Sequence, residues 1–291
     1  MTGPTSLPDD TRGIVAPAAM LRHVRFQRLP PPEPLVDLVD WFWTVRWQLP
    51  PGHSHDQQVL SHPSVNISIG NPPPEGTAPP PGPYRLRGVV NGVATSITTR
   101  SLTGSGWNVA AKTTTGGFGA WVDDVAALND GAEPTGQVLG IDGTALAARC
   151  DGGTFAETVE QLASELLEAL QGRDPRRISQ AREVARIARI AEHDRSVARV
   201  DELARAAGVT ARTLQRMFAS CAGVSPTWVV RRYRLADAAE LVRDGSQVDW
   251  AEVAARLGYA DQAHLVRDFA GAFGRTPAAY ARAVLAGQPS P

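Results

Sequence analysis

Two stretches in the last third of the chain carry the same residue types in the same order. Ala204 aligns with Ala254 and Gly208 with Gly258. After one inserted residue, Leu214 aligns with Leu265, Arg216 with Arg267 and Phe218 with Phe269. Gly223 and Pro226 then match Gly274 and Pro277. Each copy reads as a short helix, a glycine turn and a second helix. A small residue in the first helix lets the second approach closely, and a turn glycine tolerates positive φ. Thr210 and Asp261 are the N-caps expected to open the second helices. Leu214 with Phe218, and Leu265 with Phe269, are spaced to share a buried face. The opposite face carries Arg212, Gln215 and Arg216 in the first copy, and Gln262, Ala263, Val266 and Arg267 in the second.

Arginine and glutamine are the side chains that pair bidentately with guanine and adenine edges in the major groove. One helix-turn-helix pattern is weak evidence, because any helical hairpin with a turn glycine imitates it. Two in tandem are much stronger. Charge points the same way. From Arg176 to Pro291 there are 18 arginines against 12 acidic residues, a net of +6, whereas residues 1–175 carry a net of −7. Such asymmetry suggests one half that faces nucleic acid. The expected DNA contacts are Arg212, Gln215, Arg216, Gln262, Ala263 and Arg267. Arg231, Arg232 and Arg234, between the copies, read equally well as phosphate contacts or as a solvated basic face. His264 reads as a packing or phosphate-contacting side chain.

The second copy contains Gly258-Tyr259, Asp261, Ala263, Leu265 and Arg267-Asp268-Phe269, and continues Phe273-Gly274-Arg275-Thr276-Pro277-Ala278-Ala279-Tyr280. With Arg234-Leu235 and Ala238 in the connecting helix, this resembles the AraC/XylS family of transcription activators over about residues 179–283. Tyr259 and Leu265 stand where that family usually has phenylalanine, and Val266 where it has a small polar residue. The resemblance implies a seven-helix domain whose two recognition helices enter successive major grooves on one face of the duplex. Half-contacts one helical turn apart agree with that picture.

The first half reads differently. Trp41, Trp43, Val45 and Trp47 alternate, as do Val65, Ile67 and Ile69, which is the period of a strand with one buried face. Asn91-Gly92 between apolar runs predicts a tight hairpin. Residues 1–34 read as irregular and Asn71 to Pro83, with seven prolines, as a surface loop. An apolar stripe from Phe155 to Leu170 predicts a helical tail. Asp174-Pro175 then restarts a helix with a cap and a first-turn proline. The expected fold is therefore α+β in two domains. Residues 1–172 form a β-rich, cupin-like partial barrel with a helical tail, for effector binding or dimerisation. Residues 173–291 form an all-α DNA-binding domain with helix-turn-helix units at about 200–219 and 250–270. Leu35 to Trp43 and Gly116 to Trp121 also resemble the β-rich sensor domains that precede this DNA-binding module.

Other chemistries find little support. His53, His55 and His62 raise a cupin-type metal site, but no acid follows at cupin spacing and Pro51-Gly52 suggests a loop, so neither metal nor cofactor is expected. Cys150 and Cys221 are too few for a cysteine zinc site or an alkyl-acceptor repair protein, and fit a reducing cytoplasm. The glycines at 104–106 and 116–119 lack the frame of a phosphate loop. No apolar run approaches the roughly 20 residues that cross a bilayer. Trp41, Trp43, Trp107 and Trp121 are candidate ligand-binding side chains, with simple filling of a β core as the alternative. The function expected is regulation of transcription without catalysis. Double-stranded DNA, a small-molecule effector, RNA polymerase and a second copy of the chain, joined through the Phe155–Leu170 stripe, are the expected partners. A metalloenzyme or a protein-recruiting module fused to the DNA-binding domain is the alternative.

Overall fold

A computed structural model of the protein describes residues 20–59, 62–71, 85–243 and 249–286. Most of the proline-rich stretch expected to be a loop lies outside these residues. The first half contains β1 (Val24–Leu29), β2 (Val39–Gln48), β3 (Ser54–Val59), β4 (Asn66–Gly70), β5 (Arg87–Asn91), β6 (Thr98–Thr103), β7 (Ser105–Thr113) and β8 (Ala132–Pro134). Six of them form one antiparallel sheet in the order β1-β2-β7-β4-β5-β8, and β3 and β6 pair as a separate ribbon. The result is a partial barrel, open rather than closed.

Strand β2 shows how residue alternation builds the two faces. Phe42 and Thr44 are fully buried towards the helical layer, while Trp41, Trp43, Val45 and Trp47 turn into the barrel. A register shift between Val39 and Trp41 flips the parity, so Val39 rejoins the side of Phe42. A single extra residue in one strand has this effect.

Two expectations are corrected. Residues 1–34 are not irregular throughout, because β1 pairs along its whole length with β2. Asn91-Gly92 is not a hairpin turn: β5 lies between β4 and β8, and Gly92 N donates to Gly131 O at 3.0 Å. The local turn signal is overridden by pairing with strands distant in sequence. Helices α1 (Thr135–Leu139), α2 (Gly143–Cys150) and α3 (Phe155–Glu168) follow the sheet. Along α3, Leu162 and Leu166 are fully buried against the same chain. The centre of the apolar stripe therefore packs within its own chain, and Phe155, Leu167 and Leu170 are only partly buried.

The remaining helices are α4 (Pro175–His193), α5 (Val200–Ala206), α6 (Ala211–Cys221), α7 (Pro226–Arg243), α8 (Trp250–Arg256), α9 (Gln262–Phe273) and α10 (Pro277–Ala286). Asp174 caps α4 by accepting from Arg176 N at 2.9 Å, and Pro175 occupies its first turn. The buried cores divide unevenly. One continuous cluster runs from Phe42 and Ile67 through Phe118 and Val184 to Phe218 and Tyr233. It therefore crosses Gly172 and includes the first helical repeat. A second cluster, built around Leu265, Phe269, Phe273 and Tyr280, belongs to the second repeat.

The junction is close-packed at Gly119. A Cβ there would stand 2.6 Å from Cys221 Cα, a backbone atom that cannot swing aside. Thr115 and Tyr233 share a hydrogen bond of 2.7 Å, and Asn129 donates to Gly223 O at 2.8 Å across the same seam. Gly119→Val is expected to cost about 1–3 kcal/mol by overpacking. Urea unfolding measures it, and an unchanged midpoint would show that the seam yields.

Candidate nucleic-acid interface and ligand cavity

The two helical repeats superimpose in their local chemistry. In the first, Gly208 has φ of 70° and Val209 N donates to Ala204 O at 3.0 Å. In the second, Gly258 has φ of 75° and Tyr259 N donates to Ala254 O at 2.9 Å. That conformation is one that side-chain-bearing residues rarely adopt, which is why glycine recurs at both turns. Thr210 then accepts from Thr213 N at 3.1 Å, and Asp261 from His264 N at 2.7 Å, each opening a recognition helix. Leu214, Phe218, Leu265 and Phe269 are fully buried.

With those faces buried, the opposite ones reach solvent. Arg212, Gln215 and Arg216 are exposed on α6, and Gln262, Ala263 and Arg267 are exposed on α9. Val266 is half-buried and sits at the edge of the α9 face. His264 is half-buried too, its ring edge-on to Tyr259 at 5.1 Å.

The connecting helix α7 divides its arginines. Arg231 is half exposed and lies 3.9 Å from Asp268 of α9. Arg232 and Arg234 are buried, at 3% and 1% exposure, so neither belongs to a solvated basic face. The Arg232 guanidinium lies 5.6 Å from the Trp228 ring centroid. Burial pushes its pKa down to about 10, against the opposing pull of Asp130, so it remains a cation at neutral pH. Arg234 is a staple. It donates to the carbonyls of Ala191, in the last turn of α4, and of Asp194 and Val197 just beyond it, and pairs with Asp237 at 2.7 Å. Charge counts in the sequence could not separate these roles. The i, i+3 spacing of Arg234 and Asp237 was the available signal.

A cavity of about 580 Å³ fills the partial barrel between the sheet and the β3–β6 ribbon. Its walls are chemically segregated. Val24 and Phe26 on β1, with Trp41, Trp43, Val45 and Trp47 on β2, form an apolar and largely aromatic side. Asn108 and Lys112 on β7, Asn66 and Ser68 on β4, and Asn91 on β5 form a hydrogen-bonding side. Trp43 Nε1 donates to Asn66 Oδ1 at 2.9 Å, and Arg100 reaches Asn91 Oδ1 at 3.2 Å. Arg28 and Lys112 lie 4.4 and 4.2 Å from the Trp41 ring centroid. Lys112 also pairs with Asp40 at 2.5 Å. The buried Oδ1 of Asn108 has no hydrogen-bond partner. The cavity lining holds Arg28, Arg87, Arg100 and Lys112 against Asp130 and Glu133 as its acids, a positive balance.

Trp41 and Trp43 thus line the cavity, but Trp107 and Trp121 do not. Trp107 donates to Asp151 Oδ1 at 2.9 Å on the other face of the sheet. Trp121 is fully buried, stacks on Phe118 and donates to Leu166 O at 2.9 Å. Composition could not distinguish the two sets: strand parity turns Trp107 to the other face, and Trp121 lies beyond β7 at the end of a helical turn. The alternation Val24, Phe26, Arg28 was the missed signal for β1 as a cavity-facing strand. The three histidines are dispersed. His53 lies in the turn before β3, His55 on β3 beside Gln57, and His62 edge-on to Trp41. The loop suggested by Pro51-Gly52 reaches His53, and β3 begins at Ser54. Among the described residues no three His, Cys, Asp or Glu side chains group as a metal site would require.

Comparison with known proteins finds two domain families. Residues 203–283 match the family described as "Helix-turn-helix domain", and residues 27–130 match "Domain of unknown function (DUF6597)". Among curated proteins, no sequence matches. The C-terminal domain of AraT, a response regulator from Geobacillus stearothermophilus, is 26% identical over 34% of this chain and 84% of its own, with a TM-score of 0.32. ToxT from Vibrio cholerae is 11% identical over 83% of this chain and 98% of its own, with a TM-score of 0.41. The AraC-like transcriptional activator CuxR is 14% identical over 76% and 88%, with a TM-score of 0.26.

Proposed function

We propose, from the premise that the chain carries an AraC-type helix-turn-helix domain behind a DUF6597 domain, that it is a sequence-specific DNA-binding transcription regulator controlled by a ligand in the barrel cavity. The observation that carries the first part is the pair of matched recognition helices, each with its apolar face buried and its Arg and Gln face exposed. Arg212, Gln215 and Arg216 read one groove segment, and Gln262, Ala263 and Arg267 the next. Recognition-helix side chains supply base contacts, and flanking arginines such as Arg231 supply phosphate contacts. A second copy of the chain and RNA polymerase complete the assembly on DNA. No helix among the described residues is long and apolar enough to cross a membrane. A regulator of this kind works in the cytoplasm.

The cavity favours a ligand over a protein partner, because it is recessed between sheet and ribbon rather than spread on the surface. Its segregation selects a molecule with an apolar ring face against the tryptophans and a polar or anionic edge towards Asn108 and Lys112. The fluorescent probe 8-anilinonaphthalene-1-sulfonate has that character. We expect it to bind with energy transfer from tryptophan, and Val45→Trp, which fills the cavity, to abolish the signal. No binding to the parent chain would remove the cavity from the account.

Arg231→Ala tests the phosphate role. It should weaken every duplex alike and lower the slope of log affinity against log salt by about one unit. Titrations at two salt concentrations measure it. A loss confined to one sequence would instead make Arg231 a base-reading residue.

A further inference from the structure

The second helical repeat is attached differently from the first. The first shares one continuous core with the barrel, whereas the second has its own. Its contacts with the barrel include two from the ribbon region. Arg275 Nη2 donates to Gln58 Oε1 at 2.7 Å, and Ile97 packs against the second core beside Gly274. Gln58 lies on β3 and Ile97 immediately precedes β6.

Strand geometry makes this placement consequential. Neighbouring side chains on a strand point to opposite faces. Gln57 and Val59 line the cavity, and Gln58 between them faces the second repeat. The ribbon is a two-stranded element, the least self-sufficient kind of sheet, and so the most compliant wall of the cavity. A ligand pressing on Gln57, Val59 or Leu102 from inside therefore acts on the strands that hold Arg275 outside.

We propose that the β3–β6 ribbon is an autoinhibitory latch: with the cavity empty, Gln58 and Ile97 hold the second repeat away from its DNA-reading position, and a ligand in the cavity releases it. The proposal rests on reading the chain as a DNA-binding regulator with a ligand cavity. Two recognition helices act together only at a separation of about one helical turn of DNA. The first repeat is fixed by the barrel core, so the position of the second decides whether both engage. The latch also commits Arg275, a cation of the basic half, to a neutral amide.

The test uses the full chain, with duplexes selected by the parent protein. Gln58→Ala removes the acceptor and should tighten specific binding by roughly three- to tenfold, the net scale of one ordinary intramolecular hydrogen bond. Gln58→Glu converts the contact to an ion pair and should weaken binding at low salt, with the difference shrinking as salt screens it. Hydrogen exchange should quicken in residues 98–103 and 262–273 of Gln58→Ala and stay unchanged in 211–221. Unchanged or weaker binding by Gln58→Ala overturns the autoinhibitory latch. Unaltered exchange in both segments overturns it independently of DNA. If the parent selects no sequence at all, the underlying reading fails, and the exchange result still decides whether the ribbon holds the second repeat.

Discussion

Arg234→Ala is expected to lower the unfolding free energy by about 3–5 kcal/mol, the range found when one partner of a buried charge cluster is removed. The guanidinium is 1% exposed and gathers the carbonyls of Ala191, Asp194 and Val197. These lie at and just beyond the C-terminal end of α4, where a helix leaves carbonyls without partners. The arginine satisfies them and neutralises Asp237 at once. Alanine leaves the buried carbonyls without a donor and leaves Asp237 only the more distant Arg195, 3.6 Å away. Lysine should recover only part of the loss, because an ammonium cannot reproduce the planar fork of donors. Urea unfolding of the full chain measures both variants. A cost below about 1 kcal/mol for alanine would mean that water replaces the arginine, contrary to its burial.

The second large effect is on DNA. Arg216→Ala and Arg267→Ala should each cost about 1–3 kcal/mol at a specific site, and the double variant close to the sum. Both side chains are exposed on helices whose opposite faces are fully buried, so neither truncation should disturb the fold. Each variant should lose preference at a different base position. Titration of labelled duplexes, mutated at one position at a time, reads this directly. Equal losses on all duplexes would turn both arginines into phosphate contacts and leave base reading to the neighbouring glutamines.

What could be read from the sequence follows the range of the interactions involved. The helical repeats were legible because their signals are local: a cap, a turn glycine and an apolar pair at helical spacing all lie within about twenty residues. The strand period of β2 was legible for the same reason, yet its meaning was not. Trp41 and Trp43 face the cavity while Trp107 does not, and that depends on which sheet face each strand presents. Asn91-Gly92 failed as a hairpin because β8, some forty residues on, occupies the edge of β5. The Phe155–Leu170 stripe was seen, but an apolar face does not say how much of it its own chain covers, as it covers Leu162 and Leu166. Arg232 and Arg234 illustrate the same limit for charge. Three arginines within four residues looked like one basic face, and the helix turns two of them inward.

Whether the two recognition helices read DNA together is tested most directly by selection from a pool of randomised duplexes with the 291-residue chain. The predicted result is enrichment of a site with two blocks of strong base preference whose centres lie about one helical turn, roughly 10 base pairs, apart. Recovery of an unenriched pool, or of a single block, would contradict it.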